Sequence, residues 1–258
     1  VPFYRYIQVA KTFTIGHLAS MLTLLTAFQN SVGRKILTGV TGISLVLFLI
    51  AHLSANLTLF AVDPSQPDNA FNRYALFLHD LGFLLYIVEF GLAAIFLIHA
   101  YIGVAIWWGK RKARPEAYAL SASRGTPSRQ TFSSRTMIIS GTILFLFTFM
   151  HLKTMKFGPG WDKSDVAYYT TIDDGKPMRD LSKLVIEVFQ DDLLKVIIYS
   201  AVMLMLAFHL RHGVWSALQS LGAMNKKLTP LLYTVAGVIG IAIALGFFVL
   251  PIWIYIVY

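Results

Sequence analysis

Apolar residues run almost unbroken over positions 36–60, 81–108, 136–157, 193–218 and 230–258, separated by stretches rich in charge, proline, glycine and serine. Each run supplies the roughly 20 residues that carry an α-helix across about 30 Å of hydrocarbon. Lipid offers no partner for backbone amides, so a lone apolar run of this length must satisfy its own hydrogen bonds as a helix. The pattern predicts an all-α integral membrane protein, a five-transmembrane-helix bundle over residues 31–258. Residues 1–30 read differently. Aromatic Phe3, Tyr4, Tyr6 and Phe13 mix with Arg5 and Lys11, and the apolar stretch Ile15 to Phe28 that follows is too short to span. This part is expected to be an amphipathic segment lying in the membrane interface or docking on a partner. It lacks a small-residue cleavage site, so no signal peptide is expected.

The polar connections set the expected topology. Lys110, Arg111, Lys112, Arg114, Arg124, Arg129 and Arg135 crowd the connection between the second and third runs, Lys226 and Lys227 lie between the fourth and fifth, and Arg34 and Lys35 precede the first. The connection Gly158 to Asp192 holds eight acidic residues against four basic. Basic loops stay in the cytoplasm, which places the amino end inside and the carboxyl end outside. The stretch Ala61 to Asp80, with Pro64, Pro67 and Asn69, is expected to turn outside the membrane, and the outer connection has turn signals at Gly158-Pro159-Gly160 and Asp174-Gly175. No internal repeat of fixed period appears.

Composition narrows the chemistry. The net charge of +9 is accounted for by those loops, so nucleic acid is not an expected partner. Cysteine is absent, which excludes disulfides, thiolate metal sites and cysteine-ligated iron–sulfur clusters within this chain. Gly39, Gly42, Gly91, Gly103 and Gly141 permit close approach between helices or between a helix and a flat ligand. Trp107, Trp108, Trp253, Tyr255 and Tyr258 read as interfacial anchors.

The first four runs each contain a deep histidine, a residue that is costly in hydrocarbon unless it is hydrogen-bonded or ligates a metal. At a rise of about 1.5 Å per residue, His52 lies about 24 Å above Ile36 and His151 about 22 Å above Thr136. The second and fourth runs cross in the opposite sense, which puts His99 and His209 each about 13 Å from the inner surface. Two histidines at one depth on different helices can supply both axial ligands of a haem iron, so the arithmetic yields two bis-histidine haems, one per tier. Such irons have no open coordination position and suit electron transfer. A zinc site needs ligands converging at one level, and no cysteine or carboxylate cluster offers that. His212 competes with His209 as ligand, but its place nearer the inner surface suits a propionate contact or packing.

Other polar residues are candidates for quinone contact. Glu89, inside the second run, is either salt-bridged structure or a proton-handling group. His79 and Asp80 are read as the start of the same span and Asn56 as lying one turn beyond His52; they are candidates to line an outer quinone pocket, with solvated helix ends as the default reading. Ser31 and Arg34 at the inner end of the first span are candidates for quinone or propionate contact, with helix capping and topology as their default roles. His17 is expected to be interfacial.

The stretch Ser31-Val-Gly-Arg-Lys-Ile-Leu-Thr-Gly followed by His52 resembles the first membrane helix of the cytochrome b anchor subunit of succinate dehydrogenases and fumarate reductases (complex II). Ile98-His99-Ala100-Tyr101-Ile102-Gly103, Phe149-Met150-His151 and Phe208-His209-Leu-Arg-His-Gly213-Val-Trp215-Ser216 resemble its later haem-bearing helices. The likeness runs from about Ser31 onward and is to the single-subunit, five-helix, two-haem type that serves menaquinone in bacteria, which implies a multi-pass protein of the bacterial cytoplasmic membrane. It implies two haem b, ligated by His52 with His151 and by His99 with His209, and it prefers His209 to His212. It also implies a flavoprotein and an iron–sulfur subunit docked on the cytoplasmic face, which carry the dicarboxylate chemistry while this chain handles haem and quinone. Some fumarate reductases of this type have a glutamate two residues before the fourth ligand, where this chain has Ala207, so their transmembrane proton route is not implied here. The second-ranked reading is the cytochrome b anchor of a hydrogenase or formate dehydrogenase. A haem-free transporter or assembly protein is the alternative from another class, and it predicts no visible absorption.

Overall fold

The computed structural model describes residues 30–113, 132–163, 165–172, 175–225 and 227–258. The anticipated amphipathic segment, save Asn30, lies outside them. Five helices are long and apolar enough to cross a membrane. They are α1 (Ser31–Leu57, continued by a 3-10 turn Thr58–Ala61), α3 (Phe83–Lys112), α5 (Met137–His151, continued by a π turn Leu152–Lys156), α7 (Leu193–Ser220) and α8 (Thr229–Val257). The chain is a multi-spanning, predominantly helical membrane protein, as the apolar runs predict. Large side chains such as Leu47, Phe90, Leu97, Leu146 and Leu204 face outward, where lipid takes the place of a protein neighbour.

Helix ends follow local chemistry. α1 is capped by Asn30, whose side-chain oxygen accepts from the Gly33 N–H at 2.6 Å, so the capping role considered for Ser31 belongs to its neighbour. Asp192 caps α7 in the same way through the Lys195 N–H. At the C-terminus of α3, the Arg111 guanidinium lies 5.0 Å from the Trp107 ring centroid, an arrangement in keeping with an interfacial anchor.

Helices α1, α3, α5 and α7 form a ring in which each packs on its sequence neighbours and α7 closes on α1. α8 lies outside this ring, against α7 and α1. Glycine sets that packing. A Cβ on Gly240 would come within 3.0 Å of the Arg211 backbone nitrogen, and one on Gly246 within 2.8 Å of the Leu53 side chain. Gly39 lies against the Ala217 carbonyl of α7 at ordinary contact distance.

Two connections expected as loops are folded. The first contains α2 (Ala70–Asp80), and Gly82, at φ +54°, breaks the chain before α3 begins. His79 and Asp80 therefore end a separate helix and do not begin the second span, because the left-handed glycine stops helical propagation between them and Phe83. The second holds a 3-10 turn (Val166–Tyr168), an antiparallel hairpin β1 (Tyr169–Ile172) and β2 (Lys176–Arg179), and α6 (Leu181–Gln190). α6 buries Leu184, Val185, Ile186, Val188 and Phe189 against Leu59, Val62, Val196, Leu250 and Ile254 at the ends of α1, α7 and α8.

Polar contacts fix this cap. Fully buried Asn72 donates to Asp180 Oδ1 at 2.7 Å and to the Pro67 carbonyl at 2.9 Å, and accepts from the Ser182 N–H at 3.0 Å. Arg179 donates to the Lys156 and Pro159 carbonyls and so clamps the end of α5. Nearby, the Tyr168 phenol is pushed up to about 12 by its hydrogen bond to the Glu187 carboxylate.

Candidate haem-binding site

The ring of four helices brings the four deep histidines together along its diagonals. His52 on α1 faces His151 on α5, with ring centroids 5.9 Å apart and planes at 82°. His99 on α3 faces His209 on α7, with centroids 6.4 Å apart and planes at 67°. Each pair crosses the interior between helices that are not ring neighbours. An imidazole nitrogen binds a transition metal at about 2 Å and the ring centroid sits about 1.1 Å behind it, so imidazoles on opposite faces of one iron have centroids about 6.3 Å apart. Both pairs have the separation of axial ligands.

The surroundings of the two pairs differ. Around His52 and His151 they are aromatic: Phe48 stacks on His52 at 5.4 Å, Phe247 lies 5.6 Å from it, and Phe147 stacks on His151 at 5.8 Å. His151 Nδ1 is buried without a hydrogen-bond partner. The His99 and His209 rings instead meet glycine and hydroxyl. A Cβ on Gly42 would lie 3.3 Å from His99 Cε1, and one on Gly141 would lie 3.3 Å from His209 Cε1. Thr41 Oγ1 is 3.1 Å from His99 Nδ1, and Ser140 Oγ is 3.1 Å from His209 Nδ1. One turn from each of these histidines, on the same helix face, a Cβ added to Gly103 or Gly213 would meet nothing within 4 Å. No side chain obstructs a flat ligand at those two positions, and paired imidazoles beside small residues are a donor set that haem iron accepts.

These contacts reveal a repetition that the sequence reading did not detect. Thr41-Gly42, Phe48 and His52 on α1 recur at the same spacing as Ser140-Gly141, Phe147 and His151 on α5. The stretch from His99 to Gly103-Val104 on α3 recurs as His209 to Gly213-Val214 on α7. The intervals between copies are unequal, so no fixed period exists to be found. Helix pair α1/α3 thus corresponds to pair α5/α7, and each histidine pair joins corresponding positions. Thr41 and Ser140 were absent from the sequence candidates, and the Ser/Thr-Gly dipeptide eleven residues before each outer histidine was the available signal.

The remaining candidates divide by place. His212 makes no ring contact with His99, so geometry favours His209 as its partner. Asn56 donates from its amide to the His52 carbonyl at 2.7 Å, along its own helix. Glu89 pairs with Lys156 across α3 and the π turn of α5, and both side chains remain partly exposed. The His79 side chain is 75% exposed with Asp80 Oδ1 3.8 Å away, and Asp80 pairs with Lys176 of β2 at 3.1 Å, so this end of α2 is tied to the hairpin. Ser31 is exposed in the first turn of α1, where Arg34 also sits. A Cβ on Gly91 would likewise meet nothing within 4 Å.

Among the described residues there is no group of three or more histidine, cysteine or carboxylate side chains placed to hold a metal ion. No family model, curated protein or solved structure matches the chain.

Proposed function

We propose that this chain is the di-haem cytochrome b anchor of a succinate:quinone oxidoreductase. The observation that carries the haem reading is the two diagonal histidine pairs, with centroids 5.9 and 6.4 Å apart in an apolar ring of helices. The assignment to complex II rests on the likeness of the histidine-bearing stretches to that family, and the depth pairing agrees with it. His52 and His151 hold one haem b, His99 and His209 the other. When bound, six-coordinate haems supply one-electron transfer between an iron–sulfur subunit and menaquinone.

The chain's own residues hold these groups and exclude water. Phe48, Phe147 and Phe247 close the His52–His151 tier, and the glycines flanking His99 and His209 leave space for a macrocycle. Ser31, Arg34 and His212, toward the end that carries the basic connections, are the candidates for propionate or quinone contact there. Glu89, with Asn56 and His79 toward the opposite end, is the candidate for proton handling at a menaquinone site. The amino end lies in the cytoplasm in this reading, with the flavoprotein and iron–sulfur subunits docked on the basic face.

A reduced-minus-oxidised spectrum with haem quantification on the purified protein tests the reading. Two b-type haems per chain with separable potentials are expected, and a colourless preparation from haem-replete cells rejects it. His52→Ala or His151→Ala should remove one haem, and His99→Ala or His209→Ala the other. Retention of both haems in any of these variants would overturn the pairing.

A further inference from the structure

We propose that Thr41 and Ser140 are positioning residues that fix the tautomer and the donor strength of the two inner histidines, and thereby hold down the reduction potential of the haem between them. The inference rests on the haem reading above and adds to it the control of one tier.

A neutral imidazole that ligates a metal through Nε2 keeps its proton on Nδ1, and that N–H needs an acceptor. Thr41 Oγ1 lies 3.1 Å from His99 Nδ1 and Ser140 Oγ 3.1 Å from His209 Nδ1. Each hydroxyl can turn its own hydrogen to a carbonyl one turn back, Leu37 at 2.7 Å from Thr41 and Thr136 at 3.1 Å from Ser140, and so offer its lone pairs to the imidazole N–H. A ligand whose distal N–H is hydrogen-bonded is held in orientation and is a stronger base. Stronger donation favours the ferric over the ferrous state and lowers the potential.

The arrangement occurs twice, on corresponding helices, with glycine following the hydroxyl residue each time. Gly42 and Gly141 let the rings approach α1 and α5 closely enough for these bonds to form. No such hydrogen bond occurs in the outer tier among the described residues: His151 Nδ1 is buried without a partner, and the rings packed on His52 and His151 are Phe48, Phe147, Phe247 and Tyr199, whose hydroxyl does not bond the histidine. The chain thus applies this device to one tier only, and the two haems should differ in potential partly because of it.

The test is redox titration of both haems in the purified complex, followed by absorbance and by electron paramagnetic resonance, with His99→Ala identifying the inner signal. Thr41→Val keeps the side-chain shape and Ser140→Ala removes a single oxygen. Each should leave two haems bound, shift the inner midpoint upward and leave the outer one in place. The shifts should add in the double variant, and Thr41→Ser should restore the wild-type value. Two bound haems with unchanged inner potentials would overturn the inference while leaving the haem reading intact. So would a shift in Thr41→Ser equal to that in Thr41→Val, or an equal shift of the outer haem. Wild-type protein without haem would overturn both.

Discussion

At the scale of single residues, a histidine in an apolar helix needs a use for two ring nitrogens, and the two tiers meet that need differently. His99 and His209 each have a hydroxyl at Nδ1, whereas His151 has a buried Nδ1 with nothing opposite. The glycines beside the inner rings are as specific as the ligands. Alanine at Gly42 or Gly141 would place a methyl 3.3 Å from a histidine Cε1, and the ring would have to give way by a few tenths of an ångström. If His99 and His209 hold a haem as proposed, Gly42→Ala and Gly141→Ala should alter the resonance spectrum of that haem and not of the other, and an unchanged spectrum would show that the ring is not confined there. Glu89 belongs at this scale too. If it handles protons for quinone, Glu89→Gln lowers quinone reductase activity and alters its pH dependence, whereas unchanged activity and pH profile in assays across the neutral range leave only the ion pair with Lys156. The four histidines and Glu89 were legible in the sequence because each breaks an apolar run. Thr41 and Ser140 were not, because a hydroxyl in a membrane helix ordinarily bonds back to its own carbonyls and carries no such contrast.

At the scale of elements, the five spans were legible within a few residues at each end, since hydrocarbon thickness imposes their length. The connections were not. α6 has an apolar face long enough to bury, but acidic residues and turn signals around it gave the whole connection the character of a loop. Its burial depends on a groove formed by the ends of α1, α7 and α8, which local pattern does not disclose. Asn72 holds α2 to α6 through Asp180, Ser182 and Pro67 with no exposure to solvent. Asn72→Ala leaves buried partners unsatisfied at roughly 1–3 kcal/mol, so it should lower the melting temperature without altering the haem content of protein that stays folded. A melting curve superimposable on wild type would show that the cap adds nothing to stability. The turn after His151 is held by another contact out of reach of sequence reading. A Cβ on Gly158 would fall 2.1 Å from the Thr154 carbonyl oxygen, so only glycine lets the chain fold back over the π turn toward Arg179.

At the scale of the whole molecule, four helices in a ring place corresponding positions across its diagonals, and the imidazole planes in both pairs stand steeply to one another, at 82° and 67°. If each pair ligates one haem as proposed, imidazoles crossed this steeply leave two iron d orbitals nearly equal in energy, and both ferric haems should give strongly anisotropic low-spin resonance signals. Ordinary rhombic signals would mean that the planes align when haem binds. By itself the sequence determined that the chain crosses a membrane five times, which residues are deep, and which histidines share a depth. These follow from hydrocarbon thickness and helical rise, and both are properties of one segment at a time. Tertiary structure decided that partners face each other diagonally, that α8 buttresses the ring from outside, and that His99 and His209, of the four deep histidines, are the ones hydrogen-bonded to hydroxyls among the described residues. Those outcomes depend on how each helix is rotated about its own axis, and rotation is set by neighbouring helices through contacts such as Gly240 on Leu210 and Gly246 on Leu53.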